Sequence, residues 1–125
     1  MSHFTTINTQ IKDIAALQAA CNDLGLELLP NAEARGYGST RQSGDFVIRL
    51  KGPYDVALNP QPDGNYGLST DWWDGHVENE VGKDYGKLLQ LYGVHKAIIE
   101  ARKKGHMVRR TLQQNGAIRL VIATA

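Results

Sequence analysis

The middle of the chain is a series of short alternating segments separated by turn signals. Phe46–Lys51 alternates apolar and polar side chains, as a strand with one buried face does. Gly52-Pro53 interrupts that pattern, and Tyr54–Asn59 resumes it. Pro62-Asp63-Gly64-Asn65 then favours a tight reversal, because Pro presets one backbone dihedral and Gly accepts a positive φ. The reversal predicts a hairpin onto Tyr66–Thr70, and therefore an antiparallel meander.

Two helices are predicted on either side of this meander. In the first, apolar residues recur at spacings of three and four, Asp13 can accept hydrogen bonds from the first turn, and Gly25 is a natural stop. These signals predict a helix over Ile14–Leu24. A second helix is expected between Asn79 and Lys104, with Gly105 as its end.

Further strands complete the prediction of the fold class. We expect them at Phe4–Ile11, Leu26–Leu29, Met107–Leu112 and Ala117–Ile122, with Glu33–Tyr37 as an extension of the second or a separate strand. The sequence predicts an α+β domain covering residues 1–125, with an antiparallel sheet of about five to seven strands and two helices on one face. A ferredoxin-like core with extra strands is the preferred variant.

Composition excludes several classes of protein. The formal net charge is +1, which gives no global attraction to nucleic acid or to an anionic membrane. No apolar run approaches the roughly 18 residues that span a bilayer. The start of the chain lacks the features of a signal peptide, and Cys21 is the only cysteine, on the apolar stripe of the first helix. We therefore expect a cytoplasmic protein with a buried structural thiol and no disulfide.

The segment Asp71–Glu78 carries the greatest concentration of chemically active side chains. His76 beside Asp71 and Asp74 could act as a tuned acid or base, or these side chains could bind a divalent metal. The spacing matches no known metal motif, so we expect neither a metal nor a cofactor. Two adjacent tryptophans, Trp72 and Trp73, could instead anchor the connection to the helix or form a binding surface.

Three other patterns have both a structural and a functional interpretation. Gly82, Gly86 and Gly93 fall on one side of the second helix, which predicts close packing within the fold or against a partner chain. The basic run Arg102–Arg110 complements the helix dipole, and it could also contact phosphate. The central strands carry polar cations that could form an anion site or simply cover the wet side of the sheet: Arg35, Arg41, Arg49 and Lys51.

Four stretches carry a specific resemblance to a known family. They are Met1-Ser2-His3-Phe4-Thr5-Thr6, Val47-Ile48-Arg49-Leu50-Lys51-Gly52-Pro53-Tyr54-Asp55, Asp71-Trp72-Trp73-Asp74 and Tyr85-Gly86-Lys87-Leu88-Leu89-Gln90-Leu91-Tyr92. The chain resembles, over nearly its whole length, a family of uncharacterised proteins that includes the hypothetical chloroplast reading frame thirty-five product of cyanobacteria and algal plastids. The resemblance implies a domain of unknown function, a cytosolic or stromal location and an accessory or assembly role. It supplies no catalytic residues.

These observations lead to one functional prediction and two alternatives. We expect a non-enzymatic accessory module that binds another protein through Trp72, Trp73 and the face around Asp71, Asp74 and His76. The chain could also form a homo-oligomer. The first alternative is an enzyme or small-molecule binder in which His76 acts with Asp71 or Asp74, while Arg49 and Lys51 hold an anionic ligand. The second is weak nucleic-acid binding through Arg102–Arg110, with a strong dependence on salt.

Overall fold

The computed structural model describes residues 3–124, so Met1 and Ser2 of the opening motif lie outside the described residues. The elements follow in chain order: β1 (Thr5–Asn8), α1 (Ile14–Leu24), β2 (Glu27–Arg35), β3 (Arg41–Arg49), β4 (Val56–Pro60), β5 (Tyr66–Thr70), α2 (Glu78–Val81), α3 (Gly86–Lys103), β6 (Met107–Leu112) and β7 (Ile118–Ala123). Short 3-10 turns cover Trp73–Gly75 and Lys83–Tyr85.

The first five strands form one antiparallel sheet in the order β1-β5-β4-β3-β2. The predicted meander is confirmed, and its hairpin closes where the Gln61 amide donates to the Asn65 carbonyl at 2.8 Å. Gly64 in this turn has a φ of 85°, which favours glycine. The predicted loop Gly38–Gly44 is shorter than expected, because β3 begins at Arg41. Its polar residues pair through their backbones with the end of β2.

Both long helices cover one face of this sheet, as predicted. Helix α1 has the expected bounds: the Asp13 side chain accepts from the Ala16 amide at 3.2 Å, and Gly25 ends the helix at a φ of 71°. The main core joins α1 and α3 to the strand residues that point toward them, among them Ile48, Leu58 and Leu68. Cys21 is buried in this core, and burial raises the pKa of its thiol to about 12. The α+β class is confirmed.

The strand order differs from the ferredoxin-like variant. In that arrangement the second helix leads back into a strand of the same sheet. Within residues 3–124, β6 follows α3 but pairs only with β7, in a separate two-stranded hairpin. In addition, β1 and β2 occupy opposite edges of the five-stranded sheet, with the meander strands between them. The hydrophobic pattern gives strand positions without giving pairing partners, and only the pairing distinguishes these arrangements.

The predicted second helix is interrupted, and this changes the interpretation of the glycines. Gly82 lies outside α3, in a turn at a φ of 85°, and Gly86 is the first residue of α3. Apart from its chain neighbours and the backbone of its own helix, a Cβ added at Gly86 or Gly93 would meet no atom of the described residues within 4 Å. Close packing inside the fold therefore does not explain these two glycines. Gly93 instead lines an open groove of about 740 Å³ between α3 and the residues around Ile7 and Ile11.

Substitution by alanine should have opposite effects on stability at Gly93 and at Gly82. We expect Gly93→Ala to raise the free energy of unfolding by about 0.5–1 kcal/mol, because the added methyl reduces backbone freedom in the unfolded chain and meets open space. Gly82→Ala is the matched control, and it should destabilise the fold. Its Cβ would lie 2.7 Å from the Lys87 nitrogen at a positive φ. Urea unfolding measures both changes, and a loss of stability in Gly93→Ala would contradict this account.

Candidate functional site

The Asp71 carboxylate lies at the centre of the segment predicted to be functional. Asp71 follows β5 directly and is fully buried. One carboxylate oxygen accepts from the Tyr37 amide at 3.1 Å, and the other accepts from the Trp73 amide at 3.0 Å. This side chain therefore joins the β2–β3 loop to the turn after β5. Both of its oxygens are used on backbone amides, so its described hydrogen bonds are structural.

The two adjacent tryptophans lie in different environments. The Trp73 ring is 50% exposed and meets the Tyr37 ring edge to face, with centroids 6.1 Å apart. Tyr37 is itself 49% exposed. Trp72 is only partly exposed, packs against the main core and contacts the buried Tyr85 ring at 4.7 Å. Trp73 can therefore contact a partner, whereas Trp72 supports the fold.

His76 is paired with Asp74 and not with Asp71. Its Nε2 lies 3.8 Å from the Asp74 carboxylate, which is a salt bridge only when the imidazole is protonated. The imidazole also meets the Tyr54 ring edge to face at 5.2 Å. Burial and the nearby carboxylates of Asp71 and Asp74 raise the pKa of the Tyr54 hydroxyl, so this group stays neutral at physiological pH.

A cleft of about 450 Å³ lies beside these aromatic side chains. Its lining consists of Arg35, Gly36, Tyr37, Gly38, Arg41, Pro53 and Tyr54. Two of the four cations considered for an anion site, Arg35 and Arg41, are therefore in one cleft. The Arg41 guanidinium already donates to the Thr40 carbonyl at 2.8 Å.

Arg49 and Lys51 have other neighbours, and neither lines this cleft. Arg49 Nε lies 3.4 Å from the buried Asp55 carboxylate, which makes an ion pair, but among the described residues this nitrogen has no hydrogen-bond acceptor. The Lys51 ammonium lies beside Gly25 at the end of α1, and the Lys51 amide donates to Glu80 at 2.7 Å. These two side chains have no shared polar partner in the described structure.

Asp55 is a buried carboxylate that the sequence did not single out. It accepts from Arg35 Nε and Nη2 at 2.8 Å each, and from the backbone amides of Arg35 at 2.9 Å and Leu50 at 3.1 Å. Burial alone would raise its pKa, but the hydrogen bonds and the charge of Arg35 outweigh burial and lower the pKa below its ordinary value. Asp55 thereby fixes the end of β2 against the start of β4.

The sequence interpretation also missed Tyr37 and Tyr54. Tyr37 lies between Gly36 and Gly38, and these flanking glycines were the sequence signal that could have placed its ring on an exposed loop. Gly36 is needed there because a Cβ would lie 2.7 Å from the Phe4 ring. Among residues 3–124, no three His, Cys, Asp or Glu side chains come together as a metal ion would require. No helix in the same range is long and apolar enough to cross a membrane.

The lowered pKa of Asp55 predicts a specific loss of stability in acid. Its stabilising contribution is complete above the unfolded-state pKa of 3.8 and is lost as the pH falls through the lower folded-state pKa. Asp55→Asn should remove this part of the pH dependence, and it should cost about 1.5–3 kcal/mol at neutral pH through weaker hydrogen bonds to Arg35. Urea unfolding across the acid range tests this. Identical pH profiles of the two proteins would contradict it.

The Asp71 carboxylate gives a second prediction, about local order. Asp71→Ala leaves the amides of Tyr37 and Trp73 without their acceptor, so we expect a loss of about 1–3 kcal/mol in the free energy of unfolding. Asp71→Asn keeps one carbonyl oxygen and should lose less. Thermal unfolding measures stability, and tryptophan fluorescence reports the Trp73 environment. Equal stability of Asp71→Ala and the unsubstituted protein would rule out this role.

Comparison with known proteins places the chain among uncharacterised relatives. The profile of a family described as "Protein of unknown function (DUF1257)" matches residues 20–121. The "Uncharacterized protein ycf35" of Pyropia yezoensis is 32% identical over 126 residues, which cover 98% of this chain and 96% of that protein. The "Uncharacterized protein ycf35" of Guillardia theta is 28% identical over 124 residues, with 98% and 96% covered. No solved structure matches the chain.

These matches confirm the resemblance carried by the four sequence stretches. The profile includes the Asp71–Glu78 segment and most of the β6–β7 hairpin. Neither relative has a named activity. The chain belongs to the DUF1257 family of proteins of unknown function.

Proposed function

We propose that this protein is a non-enzymatic accessory module of the cytosol that binds another protein through Trp73, Tyr37 and His76, here called the aromatic surface. The observation that carries the proposal is the half-exposed Trp73 ring, set edge to face against a half-exposed Tyr37 ring. Trp and Tyr are the residue types most enriched among the side chains that dominate binding energy at protein interfaces.

Preorganisation of this surface supports the proposal. The buried Asp71 carboxylate holds the backbone amides of both Tyr37 and Trp73, so the two rings have a fixed relative position before any partner arrives. Ordering side chains and loops at an interface costs free energy, and a surface that is already ordered avoids part of that cost. The exposed carboxylate of Asp74 adds a polar rim.

The enzyme alternative has less support from the geometry. Asp71 is committed to backbone amides, which leaves Asp74 as the carboxylate near His76 at 3.8 Å. The proposed anion ligands, Arg49 and Lys51, are not beside the cleft that Tyr54 lines. The nucleic-acid alternative concerns a different part of the chain, Arg102–Arg110, and does not use the aromatic surface.

Substitution of Trp73 tests the proposal, and substitution of the adjacent, partly buried Trp72 is the control. Trp73→Ala should weaken partner binding by about 2 kcal/mol, roughly thirtyfold, as loss of a central aromatic contact does. It should change the free energy of unfolding by less than about 0.5 kcal/mol, because the ring is half exposed. Trp72→Phe is the matched control and should retain binding. Quantitative affinity purification from the host, followed by titration of the recovered partner, provides the measurement.

A second control separates this surface from any other apolar one. Met107 is 72% exposed and lies on the β6–β7 hairpin, so Met107→Ala removes exposed apolar area elsewhere. Proteins that bind the aromatic surface should still bind the Met107→Ala variant, and they should no longer be recovered with Trp73→Ala or Tyr37→Ala. Retention of every partner in both aromatic variants would contradict the proposal.

A further inference from the structure

Charge is distributed very unevenly along the chain. Of the 14 Lys and Arg residues, six follow position 100, whereas all 13 Asp and Glu residues lie at or before it. The first hundred residues therefore carry a formal charge of −5, and the remaining segment carries +6. The net charge of +1 conceals this separation. Residues after position 100 have no carboxylate side chain of their own to neutralise them.

The fold places part of this charge on one face of the β6–β7 hairpin. Arg109 pairs with Val121 and Thr111 pairs with Arg119 across the two strands, so Arg109 and Arg119 share a face. Both are exposed, and no Asp or Glu of residues 3–124 lies within 4.0 Å of either guanidinium. Arg110 points to the other face and binds Asp23 on α1 at 2.9 Å, which fixes the hairpin to the body of the protein.

The other face of the hairpin is apolar and incompletely covered. It carries the cross-strand pairs Leu112 with Ile118 and Val108 with Ile122. Leu112 is 73% exposed and Ile122 is 48% exposed. Arg109 and Arg119 therefore lie on one face together with Met107 and Val121, and the opposite face is aliphatic except for Arg110. Part of this aliphatic face is open to solvent.

The strand edges of the hairpin are also open. Within the part of the chain that the structure describes, β6 and β7 pair only with each other. A two-stranded hairpin is of marginal stability alone, and a strand with an open edge is a template for a further strand. A strand added there would place alternate side chains on the cationic face and on the apolar face.

We propose that the β6–β7 hairpin is a docking site for an acidic segment of another protein, which binds as an added strand. The segment alternates carboxylate with aliphatic side chains. Along the edge of β6 its carboxylates meet Arg109 and its aliphatic side chains cover Leu112, and along the edge of β7 the same pattern meets Arg119 and Ile122. Addition of a strand to a sheet edge is an established mode of peptide recognition, with affinity from the backbone and specificity from the side chains. This surface is separate from Trp73 and Tyr37 and is independent of the proposed function.

The hairpin favours this occupant over other anionic partners. Nucleic acid would satisfy the arginines, but residues 101–124 contain no Phe, Tyr or Trp to stack on bases. The exposed Leu112 side chain would also stay uncovered in such a complex. An anionic bilayer would leave the open backbone groups of the strand edges without partners in hydrocarbon. The same edge of a second copy would bring arginine against arginine, which disfavours self-pairing.

Binding of a defined peptide tests the proposal directly. The probe is a fluorescein-labelled peptide that alternates Glu with Val, and its matched control replaces every Glu by Lys. Fluorescence anisotropy with the full chain should show binding of the Glu peptide alone, weakening as salt screens the charges. Arg109→Glu combined with Arg119→Glu should reduce the affinity by about tenfold or more, as like-charge contacts do at interfaces.

Control variants assign the effect to the hairpin. Lys83→Glu combined with Lys87→Glu changes the net charge equally but lies at the start of α3, and it should leave the affinity within about twofold. Leu112→Ser combined with Ile122→Ser should weaken binding without any change in charge. Amide hydrogen exchange should slow in β6 or β7 when the Glu peptide is present, since a strand has been added. Circular dichroism confirms that each variant is folded.

Several results would overturn the proposal. They are no binding of the Glu peptide, binding that survives the double arginine reversal, and loss of binding in Trp73→Ala. Tighter binding to duplex DNA, or to vesicles of phosphatidylcholine and phosphatidylglycerol, would assign the hairpin to a different class of partner. Self-association of the chain through the same residues would assign it to a second copy.

Discussion

The bond between the Asp55 carboxylate and the Arg35 guanidinium determines the shape of the sheet on which the site depends. It ties the end of β2 to the start of β4, although β3 lies between these strands in the sheet, and a backbone bond of 2.9 Å from the Asp55 amide to the Arg35 carbonyl reinforces it. The β2–β3 hairpin consequently curls over the second face of the sheet. A small apolar cluster of Ala34, Val47 and Ala57 fills the space beneath it.

That curl brings two distant parts of the chain together. Tyr37 lies just after β2, whose end is fixed by Asp55. This places the Tyr37 amide within hydrogen-bond distance of the Asp71 carboxylate, which follows β5. Asp71 then orients Trp73 through a second amide. The buried carboxylates of Asp55 and Asp71 therefore act together to position the exposed rings of Tyr37 and Trp73. Asp71 looks like a catalytic candidate in the sequence, but here it accepts hydrogen bonds from backbone amides, because a buried carboxylate needs hydrogen-bond partners.

The protein presents two surfaces with different physical characters. The aromatic surface is anchored to the buried Asp71 carboxylate through two backbone amides and is continuous with the main body of the fold. The β6–β7 hairpin carries Arg109 and Arg119 on one face and mostly aliphatic side chains on the other. Arg110, on the second face, joins the hairpin to Asp23 of the main body. The burial of Asp23 is outweighed by its bonds to His95 and Arg110, so the pKa of Asp23 is lowered. The two proposed binding surfaces would together let the chain bring two proteins together, as the proposed accessory role requires.

Local pattern was enough to place the strands approximately and to give the bounds of α1 and the turns, because alternation, capping and glycine at positive φ act over a few residues. It also predicted that the Cys21 thiol is buried, as the structure confirms. It did not show that β2 continues through Pro30 to Arg35 or that β3 begins at Arg41. It did not determine which strands pair, why Asp55 matters or which tryptophan is exposed. Those depend on contacts between residues far apart in the chain. Trp72 and Trp73 are adjacent, so local sequence does not distinguish them. Trp72 packs on the buried Tyr85 ring, whereas Trp73 meets the exposed Tyr37 ring and stays at the surface.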